Sequence, residues 1–165
     1  MSGDPRADAQ PDTPALRWLS EHNVPHRVVV TQPANSAEES AQFQGIELRQ
    51  LLRTIVVRRS ENDYLFVLVP GGRKFDWPKL RQHLGVKRMS LPAAEEAKAV
   101  TGYERGAITP FGATNAWPVI ADASIRELPI VAIGGGKRGV NVHLAVADLI
   151  AATSADVVDA TQPGS

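Results

Sequence analysis

The sequence contains no cysteine, and its apolar stretches are short. Without cysteine the chain can form no disulfide, no thiolate metal site and no cysteine nucleophile. No apolar run approaches the roughly 18 residues that span a bilayer, and the first residues lack the basic and apolar pattern of a secretory signal. We therefore expect a cytoplasmic protein that does not contact a membrane.

Familiar catalytic and metal-binding motifs are also missing. Of the four histidines, only His22 and His26 have i, i+4 spacing, and Pro25 between them disfavours a helix. The chain has no G-x-S-x-G elbow. The glycine-rich run Gly134–Gly139 is not a P-loop, because Val131 stands where the first glycine belongs. We expect neither a metal nor a cofactor.

Length and composition are those of an ordinary globular protein. The chain has 165 residues, of which 43% are hydrophobic and 22% are charged. The first residues are rich in Asp, Ala, Pro and Gln, a composition that predicts a flexible tail over residues 1–12. No linker or repeat interrupts the rest, so residues 13–165 are predicted to form one domain.

Charge is balanced overall but uneven along the chain. There are 18 basic and 18 acidic residues, yet residues 48–92 carry ten basic residues against three acidic ones. Such a segment could contact a few phosphates, in an interaction that weakens with salt. A solvated surface is the simpler explanation, and charge alone favours it.

The order of predicted elements favours an α+β fold. Helices are predicted from Thr13-Pro14, from the capping box at Ser36, from Asp76 and from Ser90-Pro92. A closing helix is expected over residues 145–152. Strands are predicted over residues 26–31, 54–58, 64–69, 119–121, 130–133 and 140–144. Because strands and helices do not alternate regularly, a doubly wound sheet is disfavoured.

Two glycine-rich segments are the most informative parts of the sequence. Thr101–Gly112 holds three glycines and a proline, which impose an irregular backbone path. That segment is either a tight connection between a helix and a strand or a loop that presents its main chain to a ligand. Gly134–Gly139 is either a hairpin turn or an anion-binding nest of backbone amides.

The motif Gly106-x-x-x-Pro110, followed by Phe111-Gly112, resembles the signature loop of the YbaK/prolyl-tRNA-editing family of aminoacyl-tRNA deacylases. Ile120-Ala121-Asp122 and Gly134–Leu144 resemble the strand ending in aspartate and the closing hairpin of that family. Arg53-Thr54 stands where the family has a Lys-Thr or Lys-Ser pair. The similarity covers roughly residues 14–160.

The resemblance implies a mixed, strongly curved, barrel-like β-sheet surrounded by helices, with the active site against the glycine loop. It also implies a trans-editing hydrolase that cleaves the ester of a mischarged aminoacyl-tRNA, such as tRNA(Pro) carrying Cys, Ala or Ser. The implied partners are the tRNA acceptor end and prolyl-tRNA synthetase. A pocket that must admit proline rejects small isosteres poorly, which is why such proofreading is needed.

The resemblance also implies which residues form the site. Arg53 and Gly106 take the catalytic positions, although an arginine, unlike the family's lysine, cannot lose its proton. Asp122 could orient a polar group or simply cap a turn. The implied substrate-binding residues are Thr54, Thr109, Pro110, Phe111, Gly112, Asp122, Gly134, Gly135 and Asn141.

Two other functions remain open at this stage. The first is a non-catalytic module of the same fold that binds tRNA or a synthetase, an alternative that follows from Arg53 in place of lysine. The second is a protein that binds a small amino-acid-like or nucleotide ligand, for which the basic segment would be incidental. Binding that does not respond to salt would indicate the second.

Overall fold

The structure, a computed structural model, describes residues 11–164, so the predicted tail over residues 1–12 lies almost entirely outside it. Within these residues the helices are eight residues long, and none is long and apolar enough to cross a membrane. The helices are α1 (Pro14–Glu21), α2 (Ala37–Gln44), α3 (Trp77–Leu84), α4 (Ala94–Thr101) and α5 (Val146–Thr153). The strands are β1 (Arg27–Val30), β2 (Leu52–Ser60), β3 (Asp63–Pro70), β4 (Arg73–Phe75), β5 (Val119–Asp122), β6 (Ile130–Gly134), β7 (Val140–Ala145), β8 (Asp156–Val158) and β9 (Thr161–Pro163). Short 3₁₀ helices span Leu48–Gln50 and Ala123–Glu127.

Three helices begin where the sequence predicts. Thr13, Ser36 and Asp76 precede α1, α2 and α3, and each accepts a hydrogen bond of 3.1 Å from the backbone N–H three residues later. These bonds satisfy amides that have no partner within the helix. The predicted starts of α1, α2 and α3 are therefore confirmed.

The predicted start of the fourth helix is wrong. Helix α4 begins at Ala94 rather than near Ser90, and its first turn receives no side-chain cap. Ser90 instead pairs through its backbone with Arg58, which lies 32 positions earlier in the chain. The helix ends at Gly102 as predicted, with a left-handed φ of 83°.

The strands form three sheets. The largest has the order β2-β3-β5-β8, with β2 and β3 as an antiparallel hairpin and the β3–β5 and β5–β8 pairs parallel. The second, β1-β7-β6, is antiparallel throughout, and β4 pairs with β9 in a small third sheet. The mixed pairing confirms the predicted α+β class.

Strand β3 lies at the centre of the core because both of its faces are covered. Phe66 and Leu68 belong to the larger hydrophobic cluster, which includes residues of the β1-β7-β6 sheet, α1 and α5. The alternate residues Leu65 and Val67 belong to a smaller cluster with Leu80 of α3. This alternation follows from the two-residue period of a strand.

The prediction of a strongly curved, barrel-like sheet is wrong. A barrel requires hydrogen bonding that continues around the whole circumference. Among the described residues, the two larger sheets are joined only at an isolated parallel bridge between Leu51 and Ala132. Beyond this bridge β2 and β6 do not pair, so the outer edge of β2 stays open.

Candidate active site

A cavity of about 560 Å³ lies along the open edge of β2. Residues 51–56 form one wall. The opposite wall comes from the start of α2, from Arg105, Gly106 and Ile108, and from the β6–β7 hairpin. The open edge is bounded by the Leu51–Ala132 bridge at one end and by the Arg58–Ser90 bridge at the other. The volume is within the range of about 300–1,000 Å³ that is usual for small-ligand sites.

The β2 wall presents main-chain donors and acceptors. Arg58 N–H donates to the Ser90 carbonyl at 2.8 Å, and Ser90 N–H donates to the Arg58 carbonyl at 3.0 Å, so the backbone of Arg58 faces away from β3. Alternate residues of a strand turn their backbone groups the same way. The N–H and C=O groups of Thr54 and Val56 therefore point away from β3, in the plane of the sheet, toward the cavity at the open edge of β2.

Thr54 adds an unpaired hydroxyl to this wall. Its side chain shares a face of β2 with Leu52 and Val56, both of which belong to the larger core cluster. The Thr54 Oγ1 atom is buried and has no hydrogen-bond partner among the described residues. Leaving a buried hydroxyl unpaired costs about 1–3 kcal/mol, which makes this atom a candidate contact for a ligand.

Arg53 lies at the rim of the same cavity. By the alternation of β2, its side chain leaves the sheet on the face opposite to that of Thr54. The side chain is exposed, and Nη2 donates to the Arg73 carbonyl at 3.3 Å. The guanidinium is therefore exposed and bonded to the main chain of β4, on the face of β2 opposite to Thr54.

Gly106 supplies exposed main chain opposite β2. Its φ is 91°, a region that disfavours residues with a side chain, and a Cβ atom placed there would come no closer than 4.0 Å to Arg138. The glycine is therefore required by backbone conformation rather than by crowding. It also lines a smaller adjoining cavity of about 160 Å³ together with Lys137 and Arg138.

The second half of the glycine loop does not line the main cavity. Thr109 is buried, and its hydroxyl accepts a hydrogen bond from Phe111 N–H at 3.4 Å. Phe111 belongs to the core, where its ring centroid is 5.5 Å from that of Trp18. Pro110 lines a separate surface depression beside Trp18.

Gly112 and Tyr103 anchor this part of the loop. A Cβ atom on Gly112 would lie 2.4 Å from the Pro14 carbonyl oxygen, so a glycine lets the loop pack closely against α1. The Tyr103 hydroxyl donates to the Phe111 carbonyl at 2.6 Å, and burial raises the pKa of Tyr103 to about 12. These contacts hold the loop that carries Gly106.

Asp122 caps a turn away from the cavity. It accepts hydrogen bonds from the backbone N–H groups of Ser124 and Ala160, each at 3.1 Å, and from the Ser124 hydroxyl. Arg73 lies 3.6 Å from its carboxylate. Burial opposes ionisation, but the bonds from Ser124, Ala160 and Thr161 outweigh it and lower the pKa of Asp122.

The β6–β7 hairpin contributes two of its three predicted residues to the cavity. Gly134 and Asn141 pair across the hairpin and line the cavity, and the Asn141 amide donates to the Val29 carbonyl at 3.2 Å. Gly135 lies outside the cavity wall, and a Cβ atom there would be 2.7 Å from the Val140 side chain. Gly134–Gly139 thus forms a hairpin turn, the simpler of the two interpretations.

The structure therefore brings together Arg53, Thr54, Gly106, Gly134 and Asn141, which come from three distant segments. Other residues of the cavity wall were not singled out from the sequence. They are Ala37, Ser40, Leu51, Leu52, Ile55, Val56, Leu91, Pro92, Ala97, Arg105 and Ile108. Of these residues, only Arg105 could have been found from the sequence, because it is a cation directly before Gly106 of the motif. Within residues 11–164, no group of three or more acidic or histidine side chains could hold a metal.

Comparison with known proteins adds sequence relatives. A Cys-tRNA(Pro)/Cys-tRNA(Cys) deacylase proposed in Enterococcus faecalis, EbsC, is 26% identical over 155 residues, or 92% of this chain and 94% of that protein. A proline–tRNA ligase of Thermosipho melanesiensis is 28% identical over 129 residues, or 76% of this chain and 22% of the ligase. The chain thus spans nearly all of the first relative and about a fifth of the second.

Solved structures share the fold. The crystal structure of a proposed trans-editing enzyme for prolyl-tRNA synthetase aligns with a TM-score of 0.82 and 24% identity, covering 98% of this chain and 99% of that one. A hypothetical protein, APE2540, aligns with a TM-score of 0.83 and 22% identity, covering 91% and 100%. The family model for the aminoacyl-tRNA editing domain matches residues 31–152. Because that match includes the β2 edge, the glycine loop and the β6–β7 hairpin, the chain belongs to the aminoacyl-tRNA editing domain family.

Proposed function

We propose that this protein hydrolyses, in trans, the ester bond of tRNA(Pro) that carries cysteine, alanine or serine. The observation that carries the proposal is the cavity where Gly106 and the open edge of β2 face each other across a space sized for a small ligand. Family membership and the relationship to prolyl-tRNA synthetases support a mischarged tRNA as the substrate. The partners in this proposal are the acceptor end of the tRNA and prolyl-tRNA synthetase.

The chemistry needs few catalytic side chains because an aminoacyl ester is already activated. Water attacks the ester carbonyl carbon, the bond from that carbon to the ribose oxygen breaks, and the ribose oxygen takes up a proton. The products are a free amino acid and a tRNA with a terminal hydroxyl. Main-chain N–H groups along the cavity can hold the negative charge that develops on the carbonyl oxygen.

Four residues of the cavity have roles in this proposal. Gly106 and the backbone of Thr54 position the ester, and the Thr54 hydroxyl gains the hydrogen bond that the protein does not provide. Arg53 steadies an anionic group, such as a terminal phosphate, at the rim. Asn141 is neutral, so the amino group of the substrate meets an amide there rather than a carboxylate.

The direct test is a deacylation panel. Purified protein is incubated with tRNA(Pro) charged with alanine, cysteine, serine or proline, and the remaining ester is measured against time. We expect faster loss of at least one mischarged ester than in buffer, with Pro-tRNA(Pro) spared. If an active deacylase of the same family works alongside while this protein removes no ester, the enzymatic proposal fails.

A non-catalytic binding module is the second candidate function, and the exposed Arg53 supports it.

Substitutions at Arg53 distinguish the two candidates. If the protein is a deacylase, we expect Arg53→Lys to change kcat/KM less than twofold and Arg53→Ala to reduce kcat/KM by about fivefold, because an exposed charge contributes only about 1 kcal/mol. The measurement is single-turnover deacylation at fixed salt. A protein that is inactive as it stands and gains rapid deacylation from Arg53→Lys would favour the binding module.

A further inference from the structure

A second cavity, of about 700 Å³, lies beside the candidate active site. We call it the basic cavity. It is lined by five cationic residues together with Ser60, Met89 and Ser90, and its lining contains no acidic residue. The five cations are Arg58, Arg59, Arg81, Lys87 and Arg88.

Three of these cations carry uncompensated charge. Arg58 lies 3.7 Å from Glu96, and Arg59 pairs with Asp63 at 2.8 Å. Across residues 11–164, no acidic side chain lies within 4.0 Å of Arg81, Lys87 or Arg88. The chain has no net charge overall, so this positive charge is a local feature of one surface.

The basic cavity adjoins the candidate active site. Strand β2 lines both, with residues 58–60 in the basic cavity and residues 51–56 in the active site. The segment after α3 also lines both cavities. Met89 and Ser90 line the basic cavity, and Leu91 and Pro92 line the candidate active site. The Arg58–Ser90 bridge separates the two spaces and fixes their relative position.

We propose that the basic cavity binds the sugar-phosphate backbone of an RNA whose 3′ end occupies the candidate active site. Several arginines in one concave surface suit phosphate groups, which guanidinium binds with paired hydrogen bonds. The lining has no aromatic side chain on which a base could stack, so the surface would contact backbone rather than read sequence. This inference rests on the proposed function, because it assigns a second contact to the same substrate.

The test removes the three unpaired charges and compares the result with a matched control. The first variant is Arg81→Ala/Lys87→Ala/Arg88→Ala. The control, Arg27→Ala/Lys74→Ala/Arg126→Ala, loses the same charge from three exposed residues outside both cavities. Binding of uncharged tRNA is measured by fluorescence anisotropy between 50 and 200 mM salt, at about the range where phosphate contacts respond. Hydrolysis of aminoacyl-tRNA and of an aminoacyl-adenosine ester is measured in parallel.

We expect the basic-cavity variant to bind tRNA about 50-fold more weakly at 50 mM salt and about threefold more weakly at 200 mM salt. The slope of log K against log salt should become shallower by about 2, since each lost phosphate contact contributes about 0.7–0.9. KM for aminoacyl-tRNA should rise as the affinity for tRNA falls. The rate of hydrolysis of the aminoacyl-adenosine ester should not change. The control should bind tRNA like the unmodified protein.

Equal tRNA affinity in the two variants would overturn the inference, as would a parallel loss of aminoacyl-adenosine hydrolysis. Displacement of tRNA by polyglutamate at equal charge would assign the basic cavity to an acidic protein and overturn it too. Thermal unfolding of each variant and a Lys87→Ala/Arg88→Ala variant, which leaves α3 unchanged, show whether weaker binding reflects misfolding. Because uncharged tRNA needs no hydrolysis, weaker binding without any deacylation would support the basic cavity and refute only the proposed activity.

Discussion

Replacing Thr54 by valine is expected to stabilise the fold and to weaken deacylation at the same time. The substitution removes a buried hydroxyl that has no partner in the protein, and it retains the branched shape of the side chain. We expect the free energy of unfolding to rise by up to about 1 kcal/mol, because no polar atom is then buried unpaired. We expect kcat/KM for a mischarged tRNA to fall about 30-fold, which corresponds to about 2 kcal/mol.

Urea unfolding and single-turnover deacylation measure the two effects separately. Thr101→Val is the matched control, because the Thr101 hydroxyl is buried but donates to the Ala97 carbonyl at 2.8 Å and accepts from Tyr103 N–H at 3.1 Å. That variant should lose about 1 kcal/mol of stability and keep its activity per folded molecule. A Thr54→Val protein that is less stable and fully active would show that the hydroxyl has a structural role only.

Asp122→Ala is expected to lower the free energy of unfolding by about 3 kcal/mol without changing deacylation per folded molecule. The Asp122 side chain is only 2% exposed. Its removal leaves the N–H groups of Ser124 and Ala160 without their acceptor and Arg73, 3.6 Å away, without its ionic partner. Breaking a buried charged network by removing one partner is among the most costly single substitutions. Guanidinium unfolding and activity normalised to the folded fraction provide the measurement.

The pH dependence of stability gives an independent check on Asp122. Its pKa in the folded protein lies below the ordinary value of 3.8, so the ionised form is the one that folding favours. Its contribution is therefore fully present above about pH 4 and is lost as the pH falls through the folded pKa. The stability gap between the unmodified protein and Asp122→Asn should narrow below pH 4. A gap that stays constant down to pH 2 would contradict this role.

Local signals predicted the elements that depend only on neighbouring residues. The caps at Thr13, Ser36 and Asp76 each bond an amide three residues away, so a short stretch of sequence contains all the information. The start of α4 could not be found in this way. Ser90 has the side chain of a helix cap, but its backbone pairs with Arg58 on a strand that is distant in sequence.

The candidate site was predictable in its segments but not in its arrangement. Arg53-Thr54 and Gly106 were singled out from sequence motifs, and both line the cavity. The motif did not separate the part of the loop that faces the cavity from the part that holds it in place. Phe111 and Gly112 belong to the second part because they pack on α1, and that contact depends on the three-dimensional fold.

The barrel prediction failed for the same reason that the cavity exists. Whether two sheets join depends on the number of residues over which their edge strands pair. The residue pattern of either strand does not predict this number. Here β2 and β6 meet at Leu51 and Ala132 and then part. The space between them is the candidate active site.

The open stretch of β2 also bears on self-association. A free strand edge normally invites a strand of a second molecule to add to the sheet, and proteins avoid this with short or obstructed edges. In this fold an incoming strand would have to extend past Ala132 or Ser90, and both already occupy the pairing positions at the two ends of the gap. The edge can therefore stay available to a short ligand while being closed to polymerisation, so concentrated protein should resist forming intermolecular sheets through β2.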